Sequence, residues 1–362
     1  MHATFINLRS SILATHVLTP ALRGGLLAVL AAALFGLSTP LVQHFGLGLG
    51  AFTTAALLYA GAALVALLMR HPPEREAALR RSDYPRIAAM ATFGAVIGPV
   101  ALAWGLQRTS GSSASLMLTL EALFTALLAW RLYGETMDKR VGAAMLCLLA
   151  GGVALVFEQG LAGGTQLSGL LAVLVATAAW GVDNTLSRGV ADRDPGQVVL
   201  AKASLGVLAT VCIALVVGEP LPDLAAASAL LAIGATGYGL SLRLYLLAQR
   251  AFGAGRTGSV FALAPFIGAL GAFAMGSRAG TWMLVAGGAL MLIGVMLHLI
   301  ESHGHAHAHE TLDHEHAHSH DDGHHTHTHA VMPVGPHSHA HQHSPLRHTH
   351  AHVPDAHHLH SH

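Results

Sequence analysis

The sequence LSGLLAVLVATAAWGVDNTLSRGVADR, residues 167–193, decides the fold of this chain. About the first twenty of these residues are almost wholly apolar. A helix of that length crosses the hydrocarbon core of a bilayer. Asp183 and Asn184 lie inside this run. A carboxylate within a membrane span is energetically expensive and by default indicates a functional site. The stretch therefore predicts a spanning helix that carries a functional charge.

The same stretch repeats an earlier part of the chain. GLLAVL at 169–174 duplicates GLLAVL at 25–30, and the glycine that follows Trp180 matches the glycine that follows Phe35. A membrane span, a buried charge and an internal repeat together are typical of secondary transporters, which bind their substrates near the bilayer midplane where two repeats meet.

The composition indicates an integral membrane protein. Of 362 residues, 53% are hydrophobic and only 10% are charged, whereas soluble domains carry about 25% charged residues. The formal net charge of zero gives no indication of a nucleic-acid partner. No nucleophile constellation, phosphate-binding loop or Walker motif is present in the sequence, so we do not expect an enzyme or an ATP-driven pump.

Ten apolar runs predict ten transmembrane helices. They cover residues 24–43, 51–69, 87–106, 113–131, 141–157, 168–187, 197–217, 226–248, 257–275 and 280–299. No stretch indicates a strand, because strong alternation of polar and apolar residues is absent. The predicted fold is an all-α integral membrane protein with two five-helix repeats, residues 21–158 and 165–300. Five spans per repeat is an odd number, so the repeats must be inverted.

Lys and Arg residues predict the orientation, because they concentrate on the cytoplasmic side. With the N-terminus inside, most of the nineteen Lys and Arg residues fall in inside segments, and the outside loops hold only Arg108 and Arg278. We therefore expect residues 1–20 to be a cytoplasmic segment and both termini to be cytoplasmic. The expected location is the inner (plasma) membrane, as a multi-pass protein. The oligomeric state is open, with a homodimer as one candidate.

The tail, residues 301–362, has a different composition and contains most of the 28 histidines, largely as His-X-His. It has no apolar periodicity, so we expect it to be disordered without a ligand. Neutral imidazole is a ligand for Zn²⁺, Ni²⁺, Co²⁺ and Cu²⁺, and many overlapping pairs predict labile, multi-site binding of one of these metals. The candidate ligands are His303, His305, His307, His309, His314, His316, His318, His320, His324, His325, His327 and His329. Transport itself is expected to need no cofactor.

Several motifs resemble a known family. Gly134-Glu135 after the fourth span and Ala264-Pro265 in the ninth resemble the EamA-type domain of the drug/metabolite transporter superfamily. WGVDNTLSR at 180–188 and GYGLS at 237–241 look like a bacterial branch of it, some members of which carry histidine-rich C-terminal tails. The resemblance covers residues 21–300 and implies ten helices and transport of small metabolites. One departure is Gly276-Ser277, where the second repeat often has Gly-Glu, so no role of that glutamate is carried over.

Asp183 and Lys202 are the first candidates for the transport site. They lie in consecutive spans, and an ion pair between them would spare both charges the cost of isolation in hydrocarbon. Asn184 is a neighbouring polar candidate. Pro265 is a candidate because a broken helix frees carbonyl groups that can face a substrate. The alternative interpretation of the Asp183–Lys202 pair is a structural ion pair that fixes the helix register.

Glu121 is the candidate for proton coupling. It lies centrally in LTLEALFTALLAW, with no basic residue nearby in sequence. A carboxyl group in these surroundings is costly to leave charged, and can therefore bind and release a proton near neutral pH. The alternative is a protonated glutamate that only hydrogen-bonds a neighbouring helix. Ala264 occupies the counterpart position in the second repeat, which favours one coupling site over two.

Three functions are open at this point. The first is a secondary transporter of a small metabolite, with proton exchange as the candidate coupling and the tail as an accessory metal-binding segment. The second is a divalent-metal permease for Ni²⁺, Co²⁺ or Zn²⁺ that the tail supplies or regulates, although the spans contain few imidazole or thiolate ligands. The third is a membrane-anchored metal buffer, in which the helices serve only as an anchor.

Overall fold

The helical part of the chain is nearly continuous. The computed structural model describes residues 20–69, 77–133, 139–190, 193–252, 254–277 and 281–299, and in the tail residues 303–308, 312–318, 337–343 and 347–352. The first half contains α1 (Pro20–Phe45), α2 (Ala51–Leu68), α3 (Tyr84–Met90), α4 (Gly98–Leu106), α5 (Gly111–Met117), α6 (Leu120–Tyr133) and α7 (Lys139–Ala162). The second half contains α8 (Gly164–Ser187), α9 (Pro195–Val217), α10 (Leu224–Ile233), α11 (Ser241–Phe252), α12 (Ala254–Phe261), α13 (Ala264–Ala274) and α14 (Trp282–Leu299). Short 3₁₀ turns cover Arg81–Asp83 and Arg188–Val190, and π-helical turns cover Ala91–Ile97 (the first π segment) and Gly234–Leu240 (the second π segment).

The two halves pack closely against each other. Helix α2 contacts α9 and the second π segment, α1 contacts α11 and α13, and α7 contacts α14. Glycines make the closest of these contacts: a Cβ at Gly61 would lie 2.1 Å from the carbonyl oxygen of Leu231, and one at Gly234 would lie 2.0 Å from that of Leu58. Small residues at helix interfaces allow backbones to approach closely, which is how helices associate in lipid.

Both halves have a π-helical turn at the same place, in the middle of the third and eighth spans. The N–H of Gly98 bonds to the carbonyl of Phe93 in the first half, and the N–H of Ser241 bonds to that of Thr236 in the second. Because this N–H bonds to the fifth preceding residue and not to the fourth, one carbonyl loses its regular helical partner. Such turns occur frequently at functional sites.

Both halves also have a broken helix at the same place. Leu118 and Thr119 separate α5 from α6 in the fourth span, and Ala262 and Leu263 separate α12 from α13 in the ninth. Pro265 is the second residue of α13, so the break in the ninth span lies directly before the predicted position. The break in the fourth span was not predicted, because the sequence has neither Pro nor Gly at this point.

The predicted all-α membrane architecture is confirmed. Among the residues that the structure describes, eight helical segments are long and apolar enough to cross a bilayer. Two further apolar helices, Ala264–Ala274 and Trp282–Leu297, are shorter. They correspond to the ninth and tenth predicted spans, and the ninth is shorter than predicted because of its break.

The described part of the tail contains strands, which the sequence did not indicate. It contains β1 (His303–Ala308), β2 (Leu312–His318), β3 (His337–His343) and β4 (Arg347–His352). Strand β1 pairs antiparallel with β4, and β2 with β3. The physical reason is that His-X-His has a period of two residues, which is also the period of an extended strand.

Candidate substrate and coupling site

The Asp183–Lys202 pair forms as the sequence predicted. Asp183 lies near the end of α8 and Lys202 in the first half of α9, and the Lys202 ammonium donates to Asp183 Oδ2. The side chain of Asp183 is 6% exposed and that of Lys202 15% exposed. Oδ1 of Asp183 has no partner among the described residues. One carboxylate oxygen is therefore neutralised, while the other remains able to accept a hydrogen bond.

The backbone of the first π segment lies directly against this ion pair. A Cβ at Gly94 would be 2.2 Å from Asp183 Oδ2 and 2.8 Å from Lys202 Nζ. Only glycine leaves room at this position for both charged groups. The pair is thus formed by two helices of the second repeat and supported by the first.

The carbonyl of Gly94 is free to accept side-chain hydrogen bonds for a local reason. Its α-helical donor, the N–H of Gly98, is bonded to Phe93 instead, and its π-helical donor would be residue 99, a proline without an N–H. The hydroxyl of Tyr59 and the indole N–H of Trp180 donate to this carbonyl, the latter at 3.0 Å. These two bonds satisfy the displaced carbonyl and connect α2, the first π segment and α8.

Glu121 and Asn184 form the second polar pair of the site. Glu121 is the second residue of α6, directly after the break, and its Oε1 accepts a hydrogen bond from Asn184 Nδ2. The charges of Asp183 and Lys202 both act on Glu121. Glu121 is half-buried and Asn184 is exposed. The structure therefore brings Glu121, which has no basic neighbour in sequence, close to Lys202.

Pro265 lies in a different environment from the other predicted residues. It begins α13, which packs against α1 and α5. A Cβ at Gly36 would be 2.3 Å from the carbonyl oxygen of Ala264, so the broken end of α13 is closely covered by α1. This contact places Pro265 at the interface between the repeats.

Aromatic rings surround the ion pair on the side of α1. Phe35 contacts Trp180, Tyr238 and Phe261, with ring centroids 6.3, 5.9 and 5.5 Å apart, and Tyr59 contacts Tyr238 at 5.7 Å. These edge and tilted arrangements are favourable for aromatic rings. They close off the apolar side of the site.

The counterpart of the site in the other repeat is uncharged. Ser38 occupies the repeat position of Asp183, and a Cβ at Gly237 would lie 2.6 Å from Ser38 Cβ, in the same way that Gly94 lies against Asp183. The two repeats thus share one backbone arrangement, but only one carries charged side chains at its centre.

Sequence reasoning missed Gly94 and Tyr59. A signal for Gly94 exists in the spacing Gly94-x-x-x-Gly98, because small residues four apart indicate a close helix contact in membranes. No local signal exists for Tyr59, since its role depends on a carbonyl that only the π turn exposes.

The tail histidines that were predicted as metal ligands divide into two groups. Those from His303 to His318, apart from His309, fall in β1 and β2. The others, His309 and those from His320 to His329, lie outside the described residues. Metal binding by the tail stays a prediction.

The fold and the site define a class of protein. Paired apolar five-span repeats that enclose a charged pair and an acid–amide pair are the architecture of a membrane transporter. Residues 22–157 and 167–300 each match the EamA-like transporter family, and the chain belongs to this family. The resemblance to the drug/metabolite transporter superfamily is consistent with this membership.

Two individual comparisons agree with the family. An uncharacterized transporter of Methanothermobacter thermautotrophicus is 27% identical over 295 residues, which cover 75% of this chain and 85% of that protein. A crystal structure of a protein with 21% sequence identity gives a TM-score of 0.52 and covers 76% of this chain and 94% of that chain. The structural likeness supports the fold alone. The family indicates a membrane transporter of small substrates rather than an enzyme.

Proposed function

We propose that this protein is a secondary transporter of a small organic metabolite and that proton exchange at Glu121 drives the transport. The observation that carries the proposal is the closeness of two polar pairs, Lys202–Asp183 and Asn184–Glu121, at the interface between the repeats. Ionisable groups in membrane spans usually line substrate or proton pathways. Asp183 and Glu121 each accept a hydrogen bond from a neighbouring side chain. A group of the substrate, or a proton on the acid, can take the place of that bond.

The proposed role of each residue follows from its partner. A proton on Glu121 removes the negative charge that acts on Lys202, and the Lys202 ammonium is then bound more strongly by Asp183 alone. A charged group of the substrate can compete for either partner of that pair. Occupation of the site and protonation of Glu121 are thereby coupled, and a ligand that changes this balance shifts the population of the two transporter conformations.

The metal alternatives have less support. Among the described residues, no group of three or more His, Cys, Asp or Glu side chains is placed to hold a metal ion. Lys202 beside Asp183 also opposes a cation at that carboxylate. The metal permease and the membrane-anchored metal buffer are therefore kept only as outcomes of the experiment.

Uptake into proteoliposomes tests the proposal. A radiolabelled panel of organic metabolites and of Zn²⁺, Ni²⁺ and Co²⁺ is offered with and without a pH gradient. We expect a metabolite to accumulate with the gradient, and Glu121→Gln to reduce this accumulation about tenfold or more, because the amide cannot carry a proton. Glu219→Gln is the matched control, since Glu219 caps α2 at Phe52 and Thr53, away from the site.

Each alternative gives a different result. Full gradient-driven uptake in Glu121→Gln would show that Glu121 is not the coupling residue. Accumulation of a metal but of no metabolite would favour the permease. Loss of all metal uptake in a chain that ends at Ser302, with no effect of Asp183→Asn, would favour the metal buffer.

A further inference from the structure

Helix α5 and the break that follows it carry a row of hydroxyl groups. Ser112, Ser115 and Thr119 are three and four residues apart, a spacing that places them on the same side of a helix. All three are buried, with exposures of 3%, 0% and 4%. From the first to the last the row is about 10 Å long at the usual helical rise.

Two of these hydroxyl groups have no hydrogen-bond partner in the described part of the chain, namely Ser115 Oγ and Thr119 Oγ1. Other buried hydroxyls of the bundle bond to their own helix: Thr177 donates to the carbonyl of Val173 at 2.8 Å, and Thr210 to that of Gly206 at 2.7 Å. A buried polar group without a partner is destabilising. In folded proteins such groups are usually satisfied by water.

The row begins near a cavity at one end of the bundle. This cavity has a volume of about 760 Å³ and lies at the end of the bundle that carries residues 107–110, 158–166 and 281–283, which the charge distribution assigns to the outside. Ser112 Oγ lies 3.5 Å from Ser277 Oγ. The neighbouring Ser113 donates to Glu158 Oε2 at 3.5 Å.

Glu158 makes the mouth of the row strongly polar. Its carboxylate is 5% exposed and accepts from Thr281 Oγ1 at 2.7 Å and from Gln159 Nε2 at 3.4 Å. These donors are neutral, and among the described residues no cation is paired with Glu158.

The other end of the row reaches the coupling site. Thr119 lies in the break between α5 and α6, two residues before Glu121. Opposite the row is α13, where a Cβ at Gly268 would be 2.9 Å from Ser115 Oγ. The row therefore runs along the interface between the repeats, and its last residue is two positions before Glu121 in the chain.

We propose that this row is a water-filled route by which protons pass between the outer cavity and Glu121. The inference rests on the proposed function, because it supplies the route for the proton that Glu121 exchanges. The Glu121 carboxyl gives its proton to a hydrogen-bonded water. Each hydroxyl or water then accepts one proton and donates another, so that water in the outer cavity receives a proton. No bond other than O–H is formed or broken.

The charged groups near the inner end of the row are those of the candidate site. Asp183 and Lys202 act on Glu121, and Asn184 is its hydrogen-bond partner. Asp183 and Asn184 lie on α8 and Lys202 lies on α9, so none of the three belongs to the row. Changes to the row therefore alter the rate at which a proton reaches Glu121 and leave its immediate partners in place.

Infrared spectroscopy of the protein in lipid measures this rate directly, without a substrate. The band of the protonated Glu121 carboxyl is identified between about pH 5 and about pH 8 by its absence in Glu121→Gln. The rate at which this band shifts after transfer to D₂O then reports how fast the Glu121 proton exchanges with water. The test variant is Ser115→Ala/Thr119→Val. The control is Thr210→Val, which removes a buried hydroxyl elsewhere.

We expect the exchange of the Glu121 proton to be about tenfold slower or more in the double variant and unchanged in Thr210→Val. The thermal midpoint of the double variant is measured alongside, so that exchange rates are compared only between folded proteins. Exchange at the wild-type rate in the folded double variant would overturn the route. If no protonated band is found, the coupling role of Glu121 fails, which is a separate result.

Chemical labelling tests the route in a second way, should the double variant not fold. Ser115→Cys is made in a chain whose Cys147 and Cys212 are replaced by alanine. A small cationic methanethiosulfonate reagent is added to one face of the membrane at a time. Labelling from the outer face supports the route, and labelling from neither face, or from the inner face alone, contradicts it. Thr210→Cys is the control that should not react.

Discussion

At the residue scale, the site depends on charges that are buried only because they are paired. Asp183 and Lys202 are both largely covered, and one carboxylate oxygen of Asp183 has no other partner among the described residues. Glu121 is held differently, by a neutral amide. A carboxyl group with a neutral partner can change its charge without leaving a buried cation behind, which distinguishes Glu121 from Asp183.

Asp183→Asn should reduce both stability and transport. It leaves the Lys202 ammonium without its anion, and loss of one partner of a buried ion pair typically costs about 3–5 kcal/mol. We expect a lower thermal midpoint and loss of gradient-driven uptake. Asp183→Asn/Lys202→Met should recover the midpoint but not the uptake. If the double variant also transports, the pair is only structural. Asp223→Asn is the control, because Asp223 caps α10 at Ala226 and asparagine caps a helix equally well.

At the element scale, the π turns and the broken helices determine where the site forms. The first π segment displaces the Gly94 carbonyl, which Tyr59 and Trp180 then bind. The break after Met117 places Glu121 in the first turn of a new helix. Both features recur in the second repeat, so the arrangement belongs to the repeat, whereas each charged residue of the site is present in one repeat only.

Gly94→Ala tests the position of the first π segment. The new methyl group would lie 2.2 Å from Asp183 Oδ2, so the ion pair must move. We expect uptake to fall about tenfold, a loss of about 1.4 kcal/mol in transition-state stabilisation, and its pH dependence to shift. In the control Gly142→Ala the added Cβ has no heavy atom within 4 Å. That variant should transport normally and be slightly more stable, because alanine is the better helix former. Normal uptake by Gly94→Ala would show that the pair tolerates displacement.

At the scale of the whole molecule, the bundle and the tail are expected to have separate activities. The family match ends at residue 300, and the histidine-rich strands follow it. The register of those strands pairs His303 with His352 and His314 with His341. In both strand pairs, histidines of one strand therefore lie opposite histidines of the other, as expected for a segment that binds several metal ions weakly.

Truncation after Ser302 should abolish metal binding and leave metabolite transport intact. Calorimetric titration with Zn²⁺, Ni²⁺, Co²⁺ and Cu²⁺ measures the first, and proteoliposome uptake the second. Binding to the full chain should be detectable above the usual imidazole pKa of about 6.5 and weaken below it, because protonated imidazole cannot bind a metal. Equal metal binding by the truncated chain would place the metal site in the bundle instead.

The sequence could predict those parts of the site that depend on neighbours along the chain. Asp183, Asn184 and Lys202 are recognisable because a polar residue in an apolar run is conspicuous, and α8 and α9 are consecutive. Gly94 and the hydroxyl row of α5 were not predicted. Glycine and serine are ordinary components of membrane helices, so nothing in their local sequence distinguishes these positions from many others.

The sequence by itself determined the membrane class, the two repeats and the pairing of Asp183 with Lys202, because hydropathy, repetition and buried charge are local properties. Only the tertiary structure decided that Glu121 meets Asn184 and that Gly94 lies beneath the ion pair. These contacts join residues that are far apart in the chain. Their geometry is fixed by close packing between helices, and no single span encodes that packing.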